Sequence, residues 1–518
     1  MARRSLKYNA AILTATGFLV KIIGFFYRIF IANSIGTEGL GLYQLIVPIY
    51  SLVVLVLSAG ISVSVSRFVA EELTTGRIRS GMKLTSISAG VILAVGVIVS
   101  AILVMNADAM LLGFAKDLRA RQSLLWMLYL IPPIAAASAY KGYFYGKQQM
   151  MPNAIGQIAE QLTKLGFVLL MYQSFKGKGI ESLCLLASLG MLAGECANIL
   201  FVFCAFRIEK YKNRGIHEKE EGRRVIVKKL IKTAVPISTN RLVISAIGTA
   251  ESLLIPQRLL LYGMTFQESL MAFGRLSGMA APLLFFPSML PMALATALVP
   301  AIASAVSSKR YSVANRQISQ SIRLTLIMGL IFTSFYATCS HELAELIFPG
   351  QDVGRILYFL SFTGVFLYLQ QTMLGILNGL SRESAILVNT VAGSVIRLVL
   401  VWFCLPVWGV DAYIIGVIVG SMITIVLNFR EIAKITGMSI DIGEWFIKPL
   451  TATLFGTVLA IILKQAPVLW GLGQKTSLLC SISISLIVIL ATFFVTGIVK
   501  REDIKRWSGR GVFIFDIF

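Results

Sequence analysis

Charged side chains make up only 14% of this 518-residue chain, against about a quarter in ordinary soluble domains, while 57% of its residues are hydrophobic. That balance excludes a soluble globular protein, which cannot hide so much apolar surface. It fits repeated runs of about 20 apolar residues, the length a helix needs to cross a bilayer. Histidine is nearly absent. The two present, His217 and His341, lie in connections far apart in the sequence, so no Ser-His-Asp or Cys-His arrangement suggests itself. The six cysteines (Cys184, Cys196, Cys204, Cys339, Cys404, Cys480) sit in or at the ends of apolar segments and form no C-x-x-C pair. They read as small apolar filler, not as metal ligands or a disulfide framework. Gly76-Arg-Ile-Arg-Ser-Gly81-Met-Lys83 has Walker-like glycine spacing but carries Met82 where a phosphate loop needs its lysine. Nucleotide hydrolysis is therefore not expected, and any driving force must come from an ion gradient, the membrane potential or substrate flux. Neither an enzyme nor a cofactor or metal site is indicated.

Cations, in contrast, are abundant: 47 Lys and Arg against 25 Asp and Glu, a formal net charge of +22. Most sit in short loops between apolar blocks, with no aromatic-interleaved basic domain, so membrane topology explains them better than nucleic acid does. Hydropathy predicts fourteen transmembrane helices, beginning at 10–33 and ending at 477–499. Assigning alternate loops to the cytoplasm, starting with the N-terminus, separates Lys and Arg by about four to one, the bias the positive-inside rule requires if both termini are cytoplasmic. The segment 207–229, with four glutamates and the run Arg223-Arg-Val-Ile-Val-Lys-Lys229, reads as a solvated cytoplasmic linker. It separates an N-lobe of six helices (1–206) from a C-lobe of six (230–430). Residues 431–518 then add two helices and a cytoplasmic tail.

The two lobes look related. A shift of 233 residues lays Gly142-x-x-x-Gly146 on Gly375-x-x-x-Gly379 and Lys164 on Arg397, and a shift of 230 lays Arg28 on Arg258 and Lys21 on Glu251. Six is an even number, so the halves share one orientation, related by an axis along the membrane normal. The expected fold is thus an all-α polytopic membrane protein of two pseudo-symmetric six-helix lobes plus two C-terminal helices.

Seven basic residues fall inside the apolar stretches: Lys21, Arg28, Lys164, Arg241, Arg258, Arg275 and Arg397. Only three acids lie as deep, Glu160, Glu195 and Glu251. A cation at mid-membrane costs at least ~2.5–3.5 kcal/mol, so such residues face a bundle interior or a wet cavity. This excess points to an anionic ligand held within the membrane. Lys21 and Arg28, and likewise Glu251 and Arg258, are two helical turns apart and share a face. Pro236 and Pro256 on the seventh span are expected to break or bend it, as happens where a helix lines a water-filled site. Arg28 and Arg258 are the first candidates for substrate binding, since a guanidinium fork suits diphosphate. Lys21, Arg397, Arg241 and Lys164 follow. Lys21 also has the alternative of pairing with Glu251 as a neutralised strut. Glu160 and Lys164 have the spacing and order of an i,i+4 ion pair. Glu195 is suited either to accepting a proton or cation or to neutralising Arg28. Arg67 and Arg275 lie near helix ends and read as snorkelling to the headgroups, and the two G-x-x-x-G runs read as sites of close helix approach.

The run Ile23-Gly-Phe-Phe-Tyr-Arg28-Ile-Phe-Ile-Ala-Asn-Ser-Ile-Gly36-Thr-Glu-Gly-Leu-Gly-Leu-Tyr43 resembles the opening helices of the stage V sporulation protein B-like polysaccharide exporters. So does Ser66-Arg-Phe-Val-Ala-Glu71. These exporters are a branch of the multidrug/oligosaccharidyl-lipid/polysaccharide (MOP) flippase superfamily. Ala293-Leu-Ala-Thr-Ala-Leu-Val-Pro300 is similar to the matching helix of that branch and of the lipid II flippases. The resemblance implies two six-helix lobes that open alternately to either side of the membrane, with two extra helices forming a groove for a polyprenyl tail. It also implies a lipid-linked oligosaccharide substrate, most plausibly lipid II or a spore-cortex equivalent. The first-helix arginine of lipid II flippases corresponds to Arg28, flanked here by Tyr27 and Ile29 in place of an acid. Their second-helix arginine falls near Leu52 or Val53 and is absent. The alternatives are an ion-coupled multidrug or toxic-compound exporter, which depends on embedded carboxylates, and a scaffold recruiting cell-wall synthesis proteins through 207–229.

Overall fold

A computed structural model describes residues 6–115, 117–213, 222–438, 443–469 and 473–498. Its elements are helices, with no strand among the described residues. Contacts divide the chain into two compact units, Met1–Leu253 and Leu254–Phe518. Counting helices of eight or more residues, unit 1 contains α1 (Leu6–Thr74), α2 (Ile78–Met105), α3 (Arg121–Tyr129), α4 (Ile131–Gly146), α5 (Met151–Phe175) and α6 (Ile180–Lys212). The division falls inside α7 (Arg223–Leu261). Unit 2 continues with α8 (Phe266–Phe273), α9 (Met289–Ser307), α10 (Tyr311–Ile347), α11 (Gly354–Ser361) and α12 (Gly364–Gly379). It ends with α13 (Glu383–Trp408), α14 (Val410–Thr436), α15 (Lys448–Leu463) and α16 (Gln474–Val495).

Among the described residues, ten helical stretches are long and apolar enough to cross a membrane, or eleven if α11 and α12, bent by 50°, form one span. Part of the distance from the expected fourteen has a simple origin. α1 joins two expected spans across a kink at Gly36, whose φ of 71° lies in the left-handed region that a β-carbon disfavours. α5 and α7 occupy the expected fifth and seventh positions, yet their polar residues (Glu160, Gln161 and Lys164 on α5; Arg241, Glu251, Gln257 and Arg258 on α7) keep them outside the ten. Of the expected break or bend in α7 there is no break: the helix runs on through Pro236 and Pro256. A proline removes one backbone donor, and a helix that packs on its neighbours survives that loss. The irregular stretches fall elsewhere, notably at Gly274–Ser288, where π, α and 3-10 turns alternate around Pro282 and Pro287. Of the 207–229 segment, the first residues complete α6 and the last ones open α7, while 214–221 lie outside the described residues.

Packing is inverted relative to a soluble protein. Large apolar side chains such as Ile98, Leu170, Phe403 and Ile487 are exposed, whereas Ser64, Thr85, Ser188 and Asn428 are fully buried. Without water as competitor, close van der Waals fit and internal hydrogen bonds hold such helices together. Two contacts recur in both units. A β-carbon on Gly142 of α4 would lie 2.6 Å from the Ser62 carbonyl oxygen, and one on Gly146 would strike that of Ser66. In unit 2 a β-carbon on Gly375 of α12 would lie 2.6 Å from the Ala295 carbonyl oxygen, and one on Gly379 3.1 Å from that of Val299. All four residues of the second set stand 233 positions after their counterparts. The second recurrence joins α5 to α6 and α13 to α14. A β-carbon on Gly194 would meet the Glu160 carbonyl at 2.6 Å and Lys164 Cβ at 3.0 Å, and one on Gly420 would meet the Gly393 carbonyl at 2.6 Å and Arg397 Cβ at 3.1 Å. The internal repeat read from the sequence is therefore a repeat of packing, with Lys164 and Arg397 at equivalent places. In unit 2, α15 and α16 add Ala452, Ala460, Ile489 and Phe493 to a buried cluster with Ile327 and Ile331 of α10.

Candidate functional site

Unit 1 holds a half-open cavity of about 520 Å³ between α1, α4, α6 and α7. α1 contributes Ser58, Ser62 and Ser66, one per turn on one face; α4 contributes Ser138, Lys141 and Tyr145. Glu195 enters from α6 and Arg241 from α7, with Val54, Leu55 and Ile134 among the apolar walls. Gly142 and Gly146 let α4 lie against the α1 backbone, so Lys141 and Tyr145 of α4 and the serine row of α1 line one gap.

Contacts between the helices fix the backbone height of each residue along the cavity. α4 runs parallel to α1, with Gly142 beside Ser62 and Gly146 beside Ser66. α7 runs antiparallel, since Ser238 Oγ donates to the Val56 carbonyl at 2.8 Å and Thr249 Oγ1 to that of Pro48 at 3.3 Å. Arg241, about a turn beyond Ser238, is consequently level with Val54. α6 follows α4, with Tyr140 against Phe203 at 5.5 Å between ring centroids, Tyr143 against Phe206 at 5.1 Å, and Lys147 paired with Glu209. Glu195, two turns before Phe203, comes level with Ile134. By backbone height Arg241 and Glu195 enter nearer one end of the cavity and Lys141, Tyr145 and Ser66 nearer the other, while the long Lys141 side chain is the cavity's basic group that acts on Glu195.

Of the residues expected from sequence, the cavity gathers Arg241 and Glu195 and none of the others. Arg28 is exposed and Lys21 half-buried on α1, while Glu251 is buried on α7. Lys164 does not pair with Glu160: its ammonium sits 4.4 Å from the centroid of the buried Tyr27 ring. Glu160 instead accepts from Asn198 Nδ2 at 2.6 Å and from Gln161 Nε2 at 3.3 Å. Helix geometry permits an i,i+4 pair but does not compel one when a neighbouring helix offers amide donors. Arg258 stacks on Trp402 in unit 2, its guanidinium carbon 3.2 Å from the ring centroid. Arg397 on α13 is half-buried beneath Gly416 and Gly420. Arg275 approaches Asp352 at 3.9 Å and Arg67 bonds Glu71 at 2.9 Å, both consistent with helix-end positions.

Lys141, Tyr145, Ser138 and the three serines of α1 escaped the sequence reading. Lys141 stands where an apolar run gives way to a connection, and a serine every fourth residue in an apolar helix is the available signal. No group of three or more His, Cys, Asp or Glu residues gathers among the described residues to hold a metal ion.

The profile of the family described as polysaccharide biosynthesis protein matches residues 6–306, and that of the MatE family matches residues 276–403. Stage V sporulation protein B of Bacillus subtilis (strain 168) is 25% identical over 511 residues, 98% of each chain. Lipid II flippase MurJ of the same organism is 24% identical over 472 residues, 83% of each chain. A solved structure of lipid II flippase MurJ in an inward closed conformation shares 14% identity at a TM-score of 0.70, covering 94% of this chain and 99% of that one. An inward-facing multidrug resistance MATE family transporter of the MOP superfamily shares 15% identity at a TM-score of 0.60, covering 81% and 96%. These likenesses establish a common fold of membrane-spanning helices. With more than half of its residues inside the first profile, this multi-pass membrane protein belongs to the polysaccharide biosynthesis protein family.

Proposed function

We propose that this protein is a flippase that carries a polyprenyl-diphosphate-linked oligosaccharide, lipid II or a spore-cortex peptidoglycan precursor, across the cytoplasmic membrane by alternating access. The observation that carries this reading is the sign of the charge held within the spanning helices. The unit 1 cavity sets Lys141 and Arg241 against the single acid Glu195, and unit 2 holds Arg258 over the Trp402 ring. A diphosphate brings about two to three negative charges that must pass ~30 Å of hydrocarbon, and fixed cations replace the water it leaves behind. The kinship with a protein named lipid II flippase supports the same reading.

In this proposal Arg28 and Arg258 are the principal substrate contacts, assisted by Lys21, Arg397, Arg241 and Lys164. Glu251, Glu195 and Glu160 balance charge or carry the coupling ion. The protein moves its substrate without transforming it. Both termini are cytoplasmic, and the functional divisions are an N-lobe (1–206), a linker (207–229), a C-lobe (230–430) and the added helices (431–518). Its partners are the lipid-linked substrate, membrane lipids and, through the linker, cell-wall synthesis proteins.

The test is translocation of a labelled polyprenyl-diphosphate sugar in proteoliposomes, with Arg28→Ala and Arg258→Ala compared with the unaltered protein. Transport that collapses in both variants supports the proposal. Failure to move the lipid, together with export of a cationic dye that depends on Glu160, Glu195 or Glu251, would replace it with a drug exporter.

A further inference from the structure

Glu160 and Lys164 stand four residues apart on α5, acid first, the order that favours an ion pair along a helix. The pair is divided in the structure. The Lys164 ammonium lies 4.4 Å from the centroid of the Tyr27 ring on α1, while Glu160 accepts from Asn198 Nδ2 of α6 at 2.6 Å. The Tyr27 ring is buried and its hydroxyl donates to the Ala187 carbonyl at 3.4 Å, so α6 anchors both arrangements. The two anchors, Ala187 and Asn198, are about 16 Å apart along α6 at 1.5 Å per residue. The relative strengths favour the division. A hydrogen bond to a carboxylate is roughly twice as strong as a neutral one, a desolvated cation over a ring gains further, and an i,i+4 pair is a weaker contact than either.

Asn198 is 1% exposed and its Oδ1 has no hydrogen-bond partner, so the bond to Glu160 is what offsets burial of the amide. Gly156 makes room for it: a β-carbon there would lie 2.9 Å from Asn198 Oδ1. Unit 2 supplies a comparison. With Gly420 in the place of Gly194, it carries Gly393 for Glu160, Arg397 for Lys164 and Thr424 for Asn198. Where the acid is missing, the amide that would hold it is missing too. Arg28, the residue after Tyr27, acts electrostatically on Lys164, as do Glu160 and Glu195. Two cations within reach of each other are relieved by a shared anion.

We propose that Asn198 and Tyr27 are positioning residues that keep Glu160 from neutralising Lys164, and so leave the Lys164 ammonium to the anionic group of the substrate. Without Asn198, the Glu160 carboxylate on the same helix face closes on Lys164 and competes with the substrate from within α5. Tyr27 works from the other side, since a ring face attracts the ammonium without cancelling its charge. Both residues act through Lys164 and need no contact with the substrate. The proposal rests on the flippase reading for its substrate, and it adds what keeps one of the embedded cations available.

The experiment measures the KM for translocation of a labelled polyprenyl-diphosphate sugar by the full chain in proteoliposomes. In parallel, the affinity of the full chain for inorganic pyrophosphate is measured calorimetrically in detergent. Asn198→Leu is expected to raise the KM and weaken pyrophosphate by about 5- to 50-fold, the size of one lost charge-assisted contact. In a Glu160→Gln background the same substitution is expected to change either quantity by less than about twofold, because no carboxylate remains to capture Lys164. Equal losses in the two backgrounds, or no loss in the parent, overturn the proposal and make Asn198 a packing residue. Gly156→Ala guards against a leucine variant that fails to fold. By crowding Asn198 Oδ1 it is expected to give a loss of about twofold to tenfold that likewise vanishes with Glu160→Gln. Tyr27→Leu is expected to raise the KM by about 3- to 20-fold while Tyr27→Phe keeps most of the affinity; equal losses overturn the role given to the ring. Translocation that proceeds without this pattern defeats the present inference alone. Pyrophosphate affinities that follow the pattern in a chain that moves no lipid defeat the transport reading and leave the positioning roles standing.

Discussion

Replacing Gly142 or Gly375 with alanine tests the close helix approach on which both units are built. A β-carbon at either position would lie 2.6 Å from a carbonyl oxygen of the facing helix, where ordinary contact begins at 3.4 Å, so the helices must part by about 0.8 Å. At Gly375 the obstructing atoms are Ala295 Cα, Cβ and O, with no flexible side chain to yield. Overpacking of this kind costs ~1–3 kcal/mol, or about 5- to 150-fold in the folding equilibrium. In a soluble helix alanine would recover ~0.8–1 kcal/mol through propensity. In a bilayer that recovery largely disappears, because the separated helices keep their backbone bonds and the reference state is already helical. Gly90 on α2 is the control, since a β-carbon there meets nothing within 4 Å. Unfolding in mixed micelles should therefore show a loss of about 1–3 kcal/mol for Gly142→Ala and for Gly375→Ala, with Gly90→Ala within ~0.5 kcal/mol of the parent. If both contact variants behave like the Gly90 control, the close approach and the repeat built on it are wrong.

Three further expectations follow from single contacts. Tyr336 Oη donates to the Leu283 carbonyl at 2.7 Å, where Pro287 lacks the backbone N–H that would otherwise serve it, while Phe286 N still donates to the same oxygen. Tyr336→Phe should cost about 0.6–1.5 kcal/mol, and less in a Pro287→Ala background; equal costs in both backgrounds would break the link. Trp402→Leu removes the platform under Arg258 and should raise the KM for a lipid-linked substrate by about 5- to 30-fold, with Trp402→Phe retaining most of the affinity; equal effects of the two would show that no stacking is involved. Arg119 bonds Asp117 and Glu38 at 2.8 Å near the Gly36 kink, and both acids are buried. Arg119→Leu should destabilise the protein by about 1–3 kcal/mol at neutral pH because it leaves two buried acids without their cation, and Arg119→Lys should recover part of that loss. Equal losses in the two variants would assign the deficit to packing.

How much of this was legible beforehand depends on the range of each interaction. The class of protein follows from local composition, since each apolar run must be helical in a bilayer whatever its neighbours do. The repeat was legible because glycines and buried charges are rare enough in apolar helices for their spacing to stand out. Gly142, Gly146, Gly375 and Gly379 then proved to be contact points at equivalent places. The pairing of charges was not legible. Glu160 and Lys164 have the spacing of an ion pair, but Asn198 and Tyr27, from other helices, capture them separately.

The cavity shows the same division. Sequence supplied Arg241 and Glu195 as unusual residues in apolar surroundings. It gave no weight to Lys141, which sits where an apolar span gives way to a loop, or to serines that any helix tolerates. Whether such residues form a site depends on which helix faces which and at what height, and that is decided by contacts between residues more than a hundred positions apart, such as Ser238 with Val56. By itself, then, the sequence determined an all-helical membrane protein with a doubled plan and an excess of embedded cations. Only the tertiary structure decided which charges meet, because each helix's hydrogen bonds close within the helix and leave its rotation and depth to side-chain packing.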